Sequence, residues 1–258
     1  MSTDEQRLTY DAVVRLFAIA IGLSVIGSFG SLLLASGLLL LRPESRLKLV
    51  PHLVSYAVGT LLGVALLSIL PEVMADLSAS ATFATLLAGI MAFFVLEKMV
   101  LWHHCHSENC DAHGRPGALV LIGHAIHSFV DGVAIGAAVQ TSVPLGLSTA
   151  TAVALHEVPQ QVGDYAVLLH AGYRRGRALG LSVLSAAGAV TGTIVAFAAF
   201  ARIPGVLPFA LTFAAASFLY IAMADLMPDL HKGRVDANAL KQLVLLAAGI
   251  ATAYLLRE

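Results

Sequence analysis

The sequence predicts an all-α integral membrane protein. Three observations carry that expectation. Of the 258 residues, 58% are hydrophobic and only 12% charged, against roughly 25% charged in a soluble domain. The mean hydropathy is +0.85. Charge-poor stretches long enough to span a bilayer follow one another, and their uniform, non-alternating character favours helices over a barrel.

The segments are read in chain order, within a single polytopic membrane domain over 1–258. Residues 16–41 carry no charge, so a first helix is expected over 12–41. Residues 49–71 hold only His52, and a second helix is expected over 49–76. The uncharged run 77–96 predicts a third over 77–102. The long region from 116 to 170 is broken by "QTSVPLG" at 140–146, with its proline, glycine and polar residues. It therefore predicts two helices, 117–139 and 146–170. Uncharged runs at 178–201 and 203–224 predict helices over 178–201 and 203–227, and an apolar run with Lys241 near its start predicts the last, 236–256. That makes eight transmembrane helices. Gly22, Gly27 and Gly30 in the first and Gly59 and Gly63 in the second are expected to serve close helix packing.

Basic residues set the orientation. Loops after the first, third, fifth and seventh segments hold 11 of the 15 Lys and Arg; the other side holds Arg7, Arg15, Arg202 and Arg257. The positive-inside rule then puts both termini outside the cytoplasm. A net charge of −1 lacks the basic footprint that nucleic acid requires. Two cysteines cannot build a disulfide framework. The polar start "MSTDEQRLTYDAVVR" lacks the pattern of a cleavable signal peptide.

Ionisable groups at bilayer depth cost ~2.5–3.5 kcal/mol each on insertion scales, so their placement is informative. The fourth segment reads "LIGHAIHSFVDGVAIG", with His124, His127 and Asp131 on one face. The fifth reads "HEVPQQVGDY", in which His156, Gln160 and Asp164 form one stripe and Glu157 and Gln161 a second. Two such stripes on consecutive helices bring N and O donors to one point. Imidazole with carboxylate suits Zn²⁺, and also Fe²⁺, Mn²⁺ or Co²⁺. A cation would neutralise Asp131 and Glu157, since no Lys or Arg occurs from 116 to 173. Pro159 frees the carbonyl of Leu155 at the same depth.

Polar groups elsewhere suggest a pathway. Glu72 and Asp76 after Pro71 fall near the outer face, as an entrance; Asp225, Asp229 and His231 around Pro228 fall near the inner face, as an exit; His124 and Asp164 belong to the same candidate pathway. The shared proline–acid pair hints at an internal repeat. The loop 103–116, placed in the reducing cytoplasm, holds His103, His104, Cys105, His106, Cys110 and His113. It reads as a mobile metal-collecting loop or a solvated polar one, with free thiols.

"HSFVDGVAIG", "HEVPQQVGDYAVLL", "LPE", "DLMPDLH", the His-rich loop and the helix count together resemble the ZIP (Zrt/Irt-like protein) family of divalent metal-ion transporters. The resemblance implies a 3+2+3 arrangement of eight helices with both termini outside. It implies movement of a divalent ion, zinc first and Fe²⁺, Mn²⁺, Cd²⁺ or Co²⁺ as alternatives, into the cytoplasm by alternating access. By the family pattern His127, Asp131, His156 and Gln160 form the main metal site, with Ser128 and Glu157 beside it in a subsidiary one. The chain departs from that pattern at Ser128, where members often have Asn, at His124, where they often have Asp, and at Gln160, where some have His or Glu.

The reading is a multi-pass protein of the cell membrane (the inner membrane in a bacterium). Its partners are a divalent ion, the lipid bilayer and a second copy in a homodimer. It is read as no enzyme, with no catalytic cofactor and no nucleic-acid partner. The alternatives are an intramembrane zinc metalloprotease, which needs H-E-x-x-H where this chain has Gln160, and a non-transporting metal-binding receptor.

Overall fold

The computed structural model describes residues 3–102, 115–200, 202–203, 205–230 and 237–257. Among them every regular element is helical. The order is α1 Thr3–Leu40, α2 Pro43–Gly63, α3 Leu70–Asp76, α4 Ala79–Trp102, α5 Arg115–Thr141, α6 Val143–His170, α7 Arg175–Phe200, α8 Leu207–Tyr220, α9 Met227–Leu230 and α10 Ala237–Leu256. Two six-residue π-helical segments, Val64–Ile69 and Ile221–Leu226, run α2 into α3 and α8 into α9. Seven helical runs among the described residues are long and apolar enough to cross a membrane. α6 is not one of them, because His156, Glu157, Gln160, Gln161 and Asp164 dilute its apolar character. It lies instead against α1, α2 and α5, which cover it.

The two π segments have a common cause in the sequence. Pro71 and Pro228 have no N–H, so the carbonyls four residues earlier, Leu67 and Ala224, lose their α-helical partners. The chain spreads the defect over a wider turn. The N–H of Leu70 bonds to the carbonyl of Ala65, and that of Met227 to the carbonyl of Ala222, five residues back in each case. Leu67's carbonyl is then met by Arg257, whose Nη1 donates to it at 2.8 Å while the guanidinium lies 4.1 Å from the Tyr254 ring centroid. The two proline–acid pairs thus sit on the same local backbone device. By contrast α6 is continuous through Pro159.

Small residues set the tightest helix contacts. A Cβ at Gly132 on α5 would lie 1.8 Å from the Ala189 carbonyl oxygen of α7, and one at Gly192 on α7 would lie 2.0 Å from that of Phe129. α2 and α10 meet in the same way, with Gly59 against Leu246 and Gly249 against Tyr56 at 2.1 and 2.3 Å. Only hydrogen fits at these points, so the backbones approach closely. In the first helix the expectation is not met at Gly22 and Gly30. A Cβ at Gly22 or Gly30 meets nothing within 4 Å, and one at Gly27 only the Ala150 carbonyl oxygen at 3.8 Å.

α5 and α6 form a tight antiparallel pair, and their junction is built for it. Ser142 has extended backbone (φ −158°, ψ 151°) and its Oγ accepts from the N–H of Leu145 at 3.2 Å, capping α6, with Pro144 in the first turn. At the far end Gly172 takes φ +83°, and the N–H of Tyr173 bonds to the carbonyl of Leu168 at 3.1 Å. Between these caps, Ile135, Val139 and Val153 pack into one core with Val58, Leu61 and Phe218.

Candidate metal site

α5 and α6 bring three donors together. His127 and Asp131 are one turn apart on α5, and His156 faces them from α6. The two Nε2 atoms are 3.0 Å apart. Asp131 Oδ2 lies 3.4 Å from His127 Nε2 and 3.3 Å from His156 Nε2. One donor atom from each residue lies within 4.8 Å of the others. His156 Nδ1 is 2.9 Å from the Ala152 carbonyl oxygen; that bond takes the ring proton and leaves Nε2 its lone pair. Asp131 and His156 are fully buried.

The electrostatics favour a cation. Neither oxygen of Asp131 makes an aligned hydrogen bond among the described residues, and Oδ2 has the two imidazole nitrogens beside it at 3.3 and 3.4 Å. A buried carboxylate left so is costly, and no Lys or Arg stands on α5 after Arg115 or anywhere on α6. A divalent ion among two imidazoles and a carboxylate would supply the missing charge and match the donors' chemistry.

Glu157 has other company. Its Oε1 accepts from Ser128 Oγ at 2.9 Å. Its Oε2 accepts from Gln161 Nε2 at 2.7 Å and from Ser31 Oγ at 3.1 Å. Ser31 belongs to α1, and its Oγ also lies 2.8 Å from the Ser28 carbonyl oxygen. This carboxylate is therefore fully buried yet satisfied by neutral donors from three helices. Gln161 sits on the Glu157 stripe, as its spacing predicts, whereas Ser28 and Ser31 have no mark in the sequence pattern. A hydroxyl within an apolar helix carries no signal of its own; only the Gly/Ser density of "IGSFGSLLLASG" marks the face.

The remaining expected residues are dispersed. His124 Nδ1 lies 2.6 Å from Asp164 Oδ2, on the same α5–α6 seam. Gln160 is half-buried and makes no side-chain hydrogen bond among the described residues. Glu72 and Asp76 are exposed on α3, and Glu72 lines a cavity of about 250 Å³ with Ser68, Ser142 and Arg257. Asp225 is exposed on the second π segment. The Asp229 side chain, His231 and the loop residues His103, His104, Cys105, His106, Cys110 and His113 lie outside the described residues. One further polar contact has no signal in the sequence: the Tyr220 hydroxyl donates to Glu97 and ties α8 to α4.

Known proteins match along most of the chain. The family model described as ZIP Zinc transporter matches residues 102–257. Zinc transporter ZIP13 of Pongo abelii is 35% identical over 228 residues, covering 82% of this chain and 68% of that protein. Zinc transporter ZIP13 of Homo sapiens is 31% identical over 267 residues, covering 82% and 71%. Zinc transporter ZIP4 of Mus musculus is 44% identical over a shorter stretch of 116 residues, 45% of this chain and 17% of that protein. The matched stretch contains the whole α5–α6 donor set and the apolar helices beyond it, and on that footing this multi-pass membrane chain belongs to the ZIP zinc transporter family.

Proposed function

We propose that this chain carries zinc across a membrane into the cytoplasm, and that the ion binds between α5 and α6 at His127, Asp131 and His156. One observation carries the reading: three convergent donors, within 4.8 Å of one another, include a buried carboxylate with no aligned hydrogen bond among the described residues. Gln160, one turn after His156, is the next donor on that face. Ser128 and Glu157 stand beside the site as a subsidiary pair. Fe²⁺, Mn²⁺, Co²⁺ and Cd²⁺ suit the same donors less selectively.

The family supports eight spans in a 3+2+3 arrangement, with α6 as the polar member enclosed by others. The Lys and Arg distribution supports both termini outside. Glu72 and Asp76 then line the outer approach, and Asp225, Asp229 and His231 the inner one. The protease reading is disfavoured. Its general base would be Glu157, whose carboxylate is occupied by Ser31, Ser128 and Gln161, and its second His is Gln160.

The experiment is zinc uptake into proteoliposomes holding a zinc-sensitive dye, with intact protein beside His127→Ala and His156→Ala. Saturable uptake lost in both variants is expected. No uptake above empty liposomes, with zinc still bound at the two histidines, would turn the reading toward a receptor.

A further inference from the structure

We propose that His124 is a second station for the transported ion, with Asp164 holding its ring ready. The proposal rests on the reading of the α5–α6 seam as a zinc pathway and adds a ligand to it.

The geometry is that of an oriented metal ligand. His124 Nδ1 lies 2.6 Å from Asp164 Oδ2. The approach is an ion-pair contact rather than an aligned hydrogen bond, since neither atom has a hydrogen-bond partner by geometry; with the ring neutral and its proton on the nitrogen facing the carboxylate, Nε2 keeps a lone pair. That Nε2 is buried and has no hydrogen-bond partner among the described residues, in a side chain 3% exposed. A histidine that donates one ring N–H to a carboxylate and leaves the other nitrogen bare is the pattern that fixes and strengthens imidazole ligands. His156 is oriented in a related way, its Nδ1 on the Ala152 carbonyl, but its Nε2 faces His127 Nε2 at 3.0 Å.

Position makes the ring useful. His124 precedes His127 by one turn on the same face, about 4.5 Å along the helix axis. Asp164 lies two turns past His156 on α6, and its side chain is 20% exposed, whereas Asp131 is fully buried. The pair therefore stands between the three-donor cluster and the ends of the seam formed by the start of α5 and the end of α6. In the proposed orientation those ends face the cytoplasm. An ion leaving His127 meets His124 Nε2 first and the Asp164 carboxylate next, so it exchanges ligands stepwise rather than shedding them all at once. Zinc, or Co²⁺ as its spectroscopic stand-in, is the ion such an N,O pair takes.

A merely structural His–Asp pair would give a different result, and Co²⁺ separates the two. Purified full-length protein is titrated with Co²⁺ and followed by d–d absorption, with metal-free thermal melting alongside. His124→Gln is expected to bind one equivalent fewer than the intact chain. Asp164→Asn keeps the imidazole and is expected to weaken that same equivalent about 10–100-fold. Titrations of both variants that overlay the intact protein's would overturn the proposal, as would a lowered melting temperature with every equivalent retained. Uptake by the intact protein is measured in parallel. Its absence would count against the transport reading, while the titration alone decides the His124 site.

Discussion

Ser31 on α1 shares its one hydroxyl proton between the Ser28 carbonyl, at 2.8 Å, and Glu157 on α6, Oγ to Oε2 at 3.1 Å. The bond joins the first helix to the metal-site helix through a carboxylate that also receives Ser128 and Gln161. A hydrogen bond to a charged group contributes about 1.5–3 kcal/mol. Ser31→Ala should therefore lower thermal stability in detergent, and the loss should shrink in a Glu157→Gln background. A double-mutant cycle with a coupling of at least about 0.5 kcal/mol is the expected outcome. Strictly additive effects would mean that the contact does not tie α1 to α6.

Asp131 should behave in the opposite way. Its carboxylate is buried with no aligned hydrogen bond among the described residues and with the two imidazole Nε2 atoms beside it at 3.3 and 3.4 Å, so it is poorly compensated in the metal-free fold. Asp131→Asn removes that charge and is expected to leave the metal-free melting temperature equal or higher. The same variant should lose the rise in melting temperature that zinc produces, along with uptake. A metal-free protein strongly destabilised by Asp131→Asn would indicate a structural carboxylate instead.

His127 and His156 bind metal only when Nε2 is unprotonated, so protons compete with zinc. An unperturbed imidazole takes its proton at pH about 6.5. Lowering the pH through that range should raise the zinc concentration needed for half-maximal uptake. Uptake that climbs steadily to about pH 5 would contradict a histidine-based site.

The glycines offer a contrast that only tertiary contact explains. Gly132→Ala puts a methyl where the Ala189 carbonyl oxygen is 1.8 Å away, so α5 and α7 must separate. Gly22→Ala meets nothing within 4 Å and should gain about 0.5–1 kcal/mol from the stiffer helix. Melting curves of the two variants should move in opposite directions. Equal shifts would mean that the α5–α7 contact is looser than these distances.

The sequence by itself determined the helical membrane class, because uncharged runs of spanning length leave few other ways to satisfy a backbone in lipid. It also brought out His127, Asp131 and His156, since a charge at bilayer depth must have a partner and none of the basic residues is near enough in the chain. Spacing alone put His127 and Asp131 on one face.

Three things were decided only by the tertiary structure. Glu157 turns to Ser31, Ser128 and Gln161 because α1 lies against α6, and no periodicity in either helix records that neighbour. The glycines that matter are those where two backbones cross, so Gly132 and Gly249 are tightly packed while Gly22 and Gly30 are open. His124 meets Asp164 because antiparallel helices bring the start of α5 beside the end of α6. Local pattern fixes which face a residue occupies. Which face it meets depends on how the helices pack, and that is a property of the assembled bundle.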